Sequence, residues 1–504
     1  MASPFAGFSI LDSALSAMQQ AVDVAGQNIS NSTTPGYAVE TADLMASPSI
    51  LQGSLGGPVG ADALGTGVQV QTVQRNTEGY LAQGVRTQKG VETYNNQVVT
   101  VLTQAQDLLS EPSSSGLSTM LEHMFTDLAD LAQNPQSTAA RAVVVQDAQN
   151  VVAQFHTLAT GLTAVSTNLE QDLASRVGTV NNLLTQLGHL NAQITTAQVE
   201  GIQPNSLMDQ RSNLLNELSK QLGITVGTDS QGSLTVKDAV TGAWLVDGSQ
   251  VGKLSVTNDS NGSPVRVSEQ AAGSTPTTSA AITSGGIGAD LSLLAGQLAP
   301  PGSLAYGNSM LSGLDHVAST LASSLNTLQG QGYYLDPNTG QPVAASTGNA
   351  SSPTTDPPVP NFFVEAASGG GSSSAAVTAA GIAVSSAIAG SGTYIAAAGT
   401  NAAGDGSNAQ AMGDLGQSTN PSSAVELYAG QVSGIGTLVA GFQSELTTSQ
   451  SLLTQAQTMQ QSVSGVDINQ EVTNMTQYEQ VYTAAAKAMG AMQSMLASLL
   501  AAVP

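Results

Sequence analysis

The side chains able to carry acid–base, nucleophilic or metal chemistry are present in this chain but are not grouped. The four histidines, His123, His156, His189 and His316, stand far apart with no ligand spacing. Ser and Asp are too frequent for a nucleophile–base–acid set to be read from order alone. No phosphate loop or dinucleotide fingerprint occurs, and Gly369-Gly370-Gly371 belongs to a low-complexity run, not to a strand-to-helix turn. Cysteine is absent, which removes disulfides and thiolate metal sites. The residues therefore predict no catalytic, metal or cofactor site and no enzyme. Asn28-Ile29-Ser30 and Asn31-Ser32-Thr33 match the glycosylation sequon, but no secretory signal precedes them, and turn and cap chemistry explains them better.

Periodicity is the stronger signal. Phe8, Leu11, Leu15, Met18, Val22, Ala25 and Ile29 fall at alternating steps of three and four. Met475, Tyr478, Tyr482, Ala485, Met489, Met492, Leu496, Leu499 and Val503 repeat the pattern at the other end. Such steps keep apolar side chains on one narrow seam of a helix. Two terminal helices of this kind can pair with each other or with neighbouring copies, which suits a filament subunit better than a soluble enzyme.

Composition agrees. The 504 residues suffice for two or three domains. Hydrophobic residues make up 41%, but charged residues only 9%, against the roughly 25% usual in soluble proteins. A neutral polar surface can pack against copies of itself without burying unpaired charge. The 11 basic and 35 acidic residues give a net charge of −24, which argues against nucleic acid and anionic membranes as partners. No apolar run is long enough to insert in a membrane. The segment MASPFAGFSILDSALSAMQQ lacks the basic and apolar regions of a secretory signal, so export, if it occurs, is expected without processing.

The pattern predicts a helix over 5–30 that ends in the breaker run Asn31 to Tyr37, where Pro35 cannot continue it and Gly36 supplies a turn. A Gly-rich stretch over 46–72 contains a strand at Val68–Val73. Helices are expected from about 76 to 222. One of roughly 50 residues starts after Asn134-Pro135 and carries Val151, Phe155, Leu158, Leu162, Val165 and Leu169, then, after a register shift, Val180, Leu183, Leu187, Leu190 and Ile194. Another starts at a Ser206/Asp209 capping box and stops at Gly223. Period-two patterning over 224–270 predicts small antiparallel strands. A helix at about 304–329 follows, then a low-complexity segment over 343–410 with a Pro cluster at 353–360, then helix over 422–502 broken at Ser464-Gly465-Val466-Asp467.

The segment Gly26-Gln27-Asn28-Ile29-Ser30-Asn31-Ser32-Thr33-Thr34-Pro35-Gly36-Tyr37 resembles the N-terminal signature of the bacterial flagellar rod, hook and hook-associated proteins. Ser464-Gly465-Val466-Asp467-Ile468-Asn469-Gln470-Glu471, with Tyr478, Gln480 and Tyr482, resembles their C-terminal helix. Pro204 to Arg211, Leu214 to Ser219, Leu325 to Gln329 with Gly332-Tyr333, and Gly404-Asp405-Gly406-Ser407-Asn408 narrow the resemblance to the hook-associated protein 1 family. It covers roughly 5–330 and 404–503. Two departures stand out. Ala38-Val39-Glu40 occupies a place where many relatives carry a basic residue, and about 40 low-complexity residues replace an outer β domain, which is expected as a loop or small fragment.

The resemblance implies a structural subunit at the junction of hook and filament, exported by the flagellar type III system and polymerising through paired terminal helices. Its implied partners are itself in a ring or helical assembly, the hook protein, hook-associated protein 3 and a dedicated export chaperone at the C-terminal helix; its implied place is the extracellular flagellum. A hook or distal rod subunit and a secreted adhesin are the alternatives. The expected fold is mainly α, with long terminal coiled-coil helices pairing at one end and a central helical bundle bearing a small β patch. Residues 1–50 and 460–504 form the terminal-helix domain, 51–342 and 411–459 the central domain with β structure at 224–270, and 343–410 the loop or reduced outer domain. The expected subunit-packing residues are Phe8, Leu11, Leu15, Met18, Val22, Asn28, Ile29, Asn31, Pro35, Gly36, Tyr37, Met475, Tyr478, Tyr482, Met489, Met492, Leu496 and Leu499. Tyr37 reads equally as a core aromatic or an intersubunit contact.

Overall fold

A computed structural model of the chain describes residues 4–47, 66–228, 233–257, 266–273, 277–279, 281–298, 309–345, 361–366, 377–417 and 423–501. The fold is mainly α. Helix α1 (Pro4–Asn31) runs up to the breaker residues. Strands β1 (Glu40–Ala46) and β2 (Val68–Arg75) pair antiparallel, with Glu40 opposite Arg75 and a bulge between Asp43 and Leu44. β2 is the expected strand; β1 escaped the pattern because Glu40-Thr41-Ala42-Asp43 has no apolar alternation.

Three helices follow: α2 (Gly79–Leu109), α3 (Leu117–Gln133) and α4 (Thr138–Val199). α4 has 62 residues, longer than expected, and spans roughly 90 Å at 1.5 Å per residue. The Ser137 hydroxyl caps it by accepting from the Ala140 amide. Leu173 and Val177 are buried between the two expected halves of its stripe and carry it through the register shift without a break. A 3.6-residue helix drifts against a seven-residue repeat, so the shift keeps one face toward the core.

α5 (Asn205–Gln221) starts without the expected capping box, since no side chain caps its first turn and Asp209 pairs with Arg75 instead. The expected β patch at 224–270 is made of two small antiparallel sheets. The first is β3 (Ile224–Thr228), β4 (Leu234–Asp238), β5 (Trp244–Asp247) and β6 (Gln250–Val251), all antiparallel. The second is β7 (Lys253–Thr257), β8 (Arg266–Gln270) and β9 (Thr277–Ser279). Both lie against the second half of α4. The Asn181 amide on α4 extends the ladder of β7, donating to the Leu254 carbonyl and accepting from its N–H, each at 2.9 Å.

An unforeseen helix, α6 (Gly285–Ala295), carries Asp290 into the core with no exposure. Its carboxylate meets Arg176 Nε at 2.9 Å and accepts from Gln97 at 2.9 Å. Burial dominates over these partners and pushes the Asp290 pKa up to about 6. A raised carboxyl pKa means stability that is complete below about pH 4 and is lost as pH rises through about 6. Asp290→Asn lacks this titration. Its stability relative to wild type is expected to improve by about 2 kcal/mol between pH 4 and pH 7.5, read from urea midpoints at the two pH values.

α7 (Met310–Gln331) is capped by Ser309 and buries Leu314, Val317, Leu321 and Leu325. The low-complexity expectation then needs correction. β10 (Tyr333–Leu335) pairs with β11 (Pro342–Ala344), and β12 (Phe363–Glu365) with β13 (Ile382–Val384). After α8 (Ser386–Gly390) and a 3-10 turn at Gly392–Tyr394 comes α9 (Ser407–Asp414). Phe362, Phe363, Ile382, Ile388, Ile395 and Met412 belong to the main core. Small residues here do not mean a loose chain, because polar side chains from the helices bind the irregular backbone. Asn326 brackets Phe363, Gln329 brackets Tyr394 and Ala396, and Asn408 binds the Leu328 and Ala396 carbonyls. Asp405 accepts from the Gly399 and Ser407 amides and the Thr400 hydroxyl, and these hydrogen bonds hold its carboxyl far below the usual range. Gly406 lies so close to the Ala132 backbone that a Cβ would not fit. The Pro cluster at 353–360, Gly369-Gly370-Gly371 and most of the Gly-rich stretch over 46–72 lie outside the described residues.

α10 (Ala424–Ser464) packs along α2, and α11 (Ile468–Ala501) returns along α1. The break between them is the expected one. Among the described residues, α11 packs substantially on no element but α1.

Candidate functional site

The histidines do not form a site. His123, His189 and His316 are exposed, and His156 sits 2.8 Å from the Ile382 carbonyl. Among the described residues no group of His, Asp and Glu could hold a metal ion. No described helix is long and apolar enough to cross a membrane.

The residues that converge are those of three sequence motifs: the stretch 28–40, the start of α5, and the α10–α11 break. Asn28 is their hub and is fully buried. Its amide nitrogen donates to the Glu40 carbonyl at 2.8 Å and to Glu471 Oε2 at 3.1 Å. Its oxygen accepts from the Tyr37 hydroxyl at 2.8 Å and the Glu40 amide at 2.9 Å. An Asn has two donors and two acceptor sites, so all four are used. One side chain thereby ties α1, the turn, β1 and α11 together.

The turn itself is built for this. The Tyr37 amide donates to the Thr34 carbonyl, with Pro35 and Gly36 at the centre and Gly36 at φ +78. Pro followed by a residue of positive φ is a type II turn, which needs Gly at its third position. Asn213 on α5 donates to the Pro35 carbonyl at 2.9 Å, and a Cβ on Gly36 would fall on that amide. The Val39 amide donates to the Ser464 carbonyl at 2.9 Å, which joins the turn to the end of α10.

Charge is concentrated under the turn. Arg75 on β2 pairs with Asp209 on α5, and both are nearly buried. Burial raises the pKa of Asp209, with Arg75 opposing, and burial also raises that of Glu40, with the hydrogen bond from Asn205 opposing. The Tyr37 hydroxyl is pushed up, first by burial and then by Glu40, Asp209 and Glu471, so it stays protonated and donates to Asn28. Glu40, the acidic residue in the unusual Ala38-Val39-Glu40 segment, thus faces a basic residue supplied by the opposite strand.

The expected packing residues fall into two groups. Asn28, Pro35, Gly36 and Tyr37 belong to the joint, whereas the Asn31 side-chain amide donates to the Gln27 carbonyl of its own helix and accepts from the Thr34 hydroxyl. Along α1 the most buried line is Ala17, Met18, Ala21, Ala25 and Asn28. Phe8, Leu11, Leu15, Val22 and Ile29 are only half-buried, so the tight face is rotated from the expected seam. Alanine lets helices approach closely, and the larger side chains flank that contact. On α11, Ala485 is buried, and Met475, Tyr478, Met489, Met492 and Leu496 are half-buried. Tyr482 is 40% exposed. The Leu499 side chain lies outside the described residues. Sequence reading missed Glu40, Arg75, Asp209, Asn213 and Glu471 as members of this site. The signal for Asp209 and Glu471 was their place in motifs; hydropathy gives none for the others.

A family model described as "Flagellar hook-associated protein FlgK helical domain" matches residues 102–343, and one described as "Flagella basal body rod protein" matches 9–37, which is α1 with the turn. Flagellar hook-associated protein 1 of Bacillus subtilis is 28% identical over 97% of this chain and 96% of its own length. Its namesake from Salmonella typhimurium is 29% identical over 68% of this chain and 61% of that protein. A solved structure titled as the flagellar hook junction protein FlgK from Burkholderia pseudomallei has the same fold, with a TM-score of 0.59, 17% identity, and coverage of 76% of this chain and all of that one. With both ends, the helical body and the fold in agreement, the chain is similar to the flagellar hook-associated protein 1 family, a family of structural flagellar proteins and not of enzymes.

Proposed function

We propose that this chain is a structural subunit of the junction between flagellar hook and filament, and that its copies assemble through the paired ends. The observation that carries the reading is the pairing of α1 with α11, locked by Asn28 while α11 leaves its other faces bare. Ile468, Val472, Val481, Tyr482, Met495 and Leu500 on α11 are 40–70% exposed. Apolar side chains left open along one helix are a surface for neighbours. The subunit-packing role of the half-buried seam residues follows from the same reading: adjacent copies would complete their burial.

In this reading the chain leaves the cell unfolded and unprocessed through the flagellar type III system, its C-terminal helix held by a dedicated chaperone. It then meets the hook protein on one side and hook-associated protein 3 on the other. The terminal pair forms the inner layer, 51–342 with 411–459 the outer body, and the ends order fully on assembly, with apolar burial offsetting the entropy of ordering.

The test is electron microscopy of cells lacking the gene, with the medium assayed for filament subunit. Hooks without filaments, and filament protein in the medium, are the expected result. Missing hooks would instead indicate a rod or hook subunit, and normal flagella would overturn the axial role.

A further inference from the structure

Beside the joint lies a cleft of about 1280 Å³, bounded by the Pro35–Gly36 turn, α2, α5 and the α10–α11 break. Arg75, Arg86, Lys89 and Arg211 line it, four of the 11 basic residues of a chain whose net charge is −24. Two acids share the lining, Glu78 and Asp467, and Asp467 is engaged with the Asn469 and Gln470 amides. Arg75 has Asp209, and Arg211 donates to Asn191 at 3.3 Å. Lys89, half-buried, lies in the field of Glu217 and Glu92.

Arg86 is different. It is 7% exposed, its Nε is buried without an acceptor, and among the described residues it has no ion pair. Burial first, and the charge of Arg211 second, push its pKa down to about 10. A guanidinium taken out of water without a counter-charge is a heavy cost to a fold, and its planar fork is shaped to take a carboxylate. Exposed apolar side chains of the α10–α11 break lie nearby. Met459, Val463 and Ile468 are each exposed by more than a third, and Ile468 itself lines the cleft.

We propose that this cleft receives a carboxylate from a second copy of this chain, presented by its terminal helix pair. That pair carries the exposed acids Asp12, Asp23 and Glu479, and the same bare apolar helix, α11, begins at the cleft. Charge complementarity and continuity with the exposed apolar face both favour a like chain over a free anion. The inference rests on the axial reading above.

The test compares full-length variants expressed in cells lacking the gene. Arg86→Met removes the buried charge and keeps the bulk. The purified variant is expected to keep or raise its thermal midpoint, while the amount co-isolating with flagella falls about tenfold or more. Lys89→Glu, which reverses a second basic charge of the lining, is expected to show the same loss with the thermal midpoint checked in parallel. So is the triple variant D12N/D23N/E479Q. Undiminished co-isolation of Arg86→Met and Lys89→Glu would overturn the proposal, as would normal incorporation of the triple variant. Inorganic phosphate titrated into purified wild type provides the other arm. Saturable binding that Arg86→Met abolishes, with incorporation unchanged, would assign the cleft to a free anion. Absence of the wild-type chain from flagella would count against the axial reading instead, so the two failures are distinguishable.

Discussion

Asn28→Ala is expected to release both chain ends from the body. The substitution leaves four buried groups without partners: the Glu40 carbonyl and amide, the Tyr37 hydroxyl and one Glu471 oxygen. An unsatisfied buried polar group costs about 1–3 kcal/mol, more when charged, so the joint loses on the order of 4 kcal/mol or more. Among the described residues α11 packs substantially only on α1. Asn28→Asp is a sharper version. It has the same shape but no donor for Glu40 or Glu471, and it adds a negative charge beside Glu471, so its effect should equal or exceed that of Ala. Hydrogen exchange on the purified protein checks this: protection should fall in α1, β1 and α11 and persist in α3 and α4. In cells, the variant should fail to support filaments. Wild-type protection of α1 and α11 in Asn28→Ala would show that the hub is dispensable.

Arg141→Met should have the largest effect on the body. Arg141 is 2% exposed, and burial pushes its pKa down to about 10. Its Nε donates to the Pro135 carbonyl at 2.9 Å, and Nη1 faces the carbonyls of Gly392, Thr393 and Ile395 at 3.0, 3.3 and 2.7 Å. Among the described residues no carboxylate pairs with it, and backbone carbonyls solvate the charge. Removing the guanidinium takes the donor from the Pro135 and Thr393 carbonyls and a second donor from those of Gly392 and Ile395, which keep the Ile395 and Ala397 amides, at about 3 kcal/mol in all. Lys in its place delivers a point charge but not the fan of donors, so Arg141→Lys should recover only part of the loss. Urea unfolding gives the magnitude, and proteolysis should show new cleavage between 390 and 398. A midpoint equal to wild type would mean that the 392–395 turn is held by packing alone.

Helix periodicity is a local property, which is why α1, α10 and α11 could be read within a few residues of their ends, and α4 and α7 could be placed although α4 runs longer than its expected 50 residues and α7 starts at Met310. The same logic located the strands at 224–270. It failed over 377–414, because Ala, Gly and Ser carry no pattern, and that segment is ordered by Asn326, Gln329, Asn408 and Arg141 reaching in from distant helices. It also placed only part of the buried face of α1, since the seam holds Met18 and Ala25 but omits the buried Ala17 and Ala21.

The chain by itself determined its helices, its structural class and, through the Asn28–Tyr37 and Ser464–Glu471 motifs, its kinship. Only the tertiary structure decided what those motifs do. Asn28 and Glu471 are 443 residues apart, and Arg141 and Ile395 are 254 apart. A buried hydrogen bond is specified by the meeting of two groups in space, which no short-range pattern encodes. Arg86 is the same lesson in reverse: an ordinary arginine on an amphipathic helix became an unpaired charge once α2, α5 and the turn closed around it.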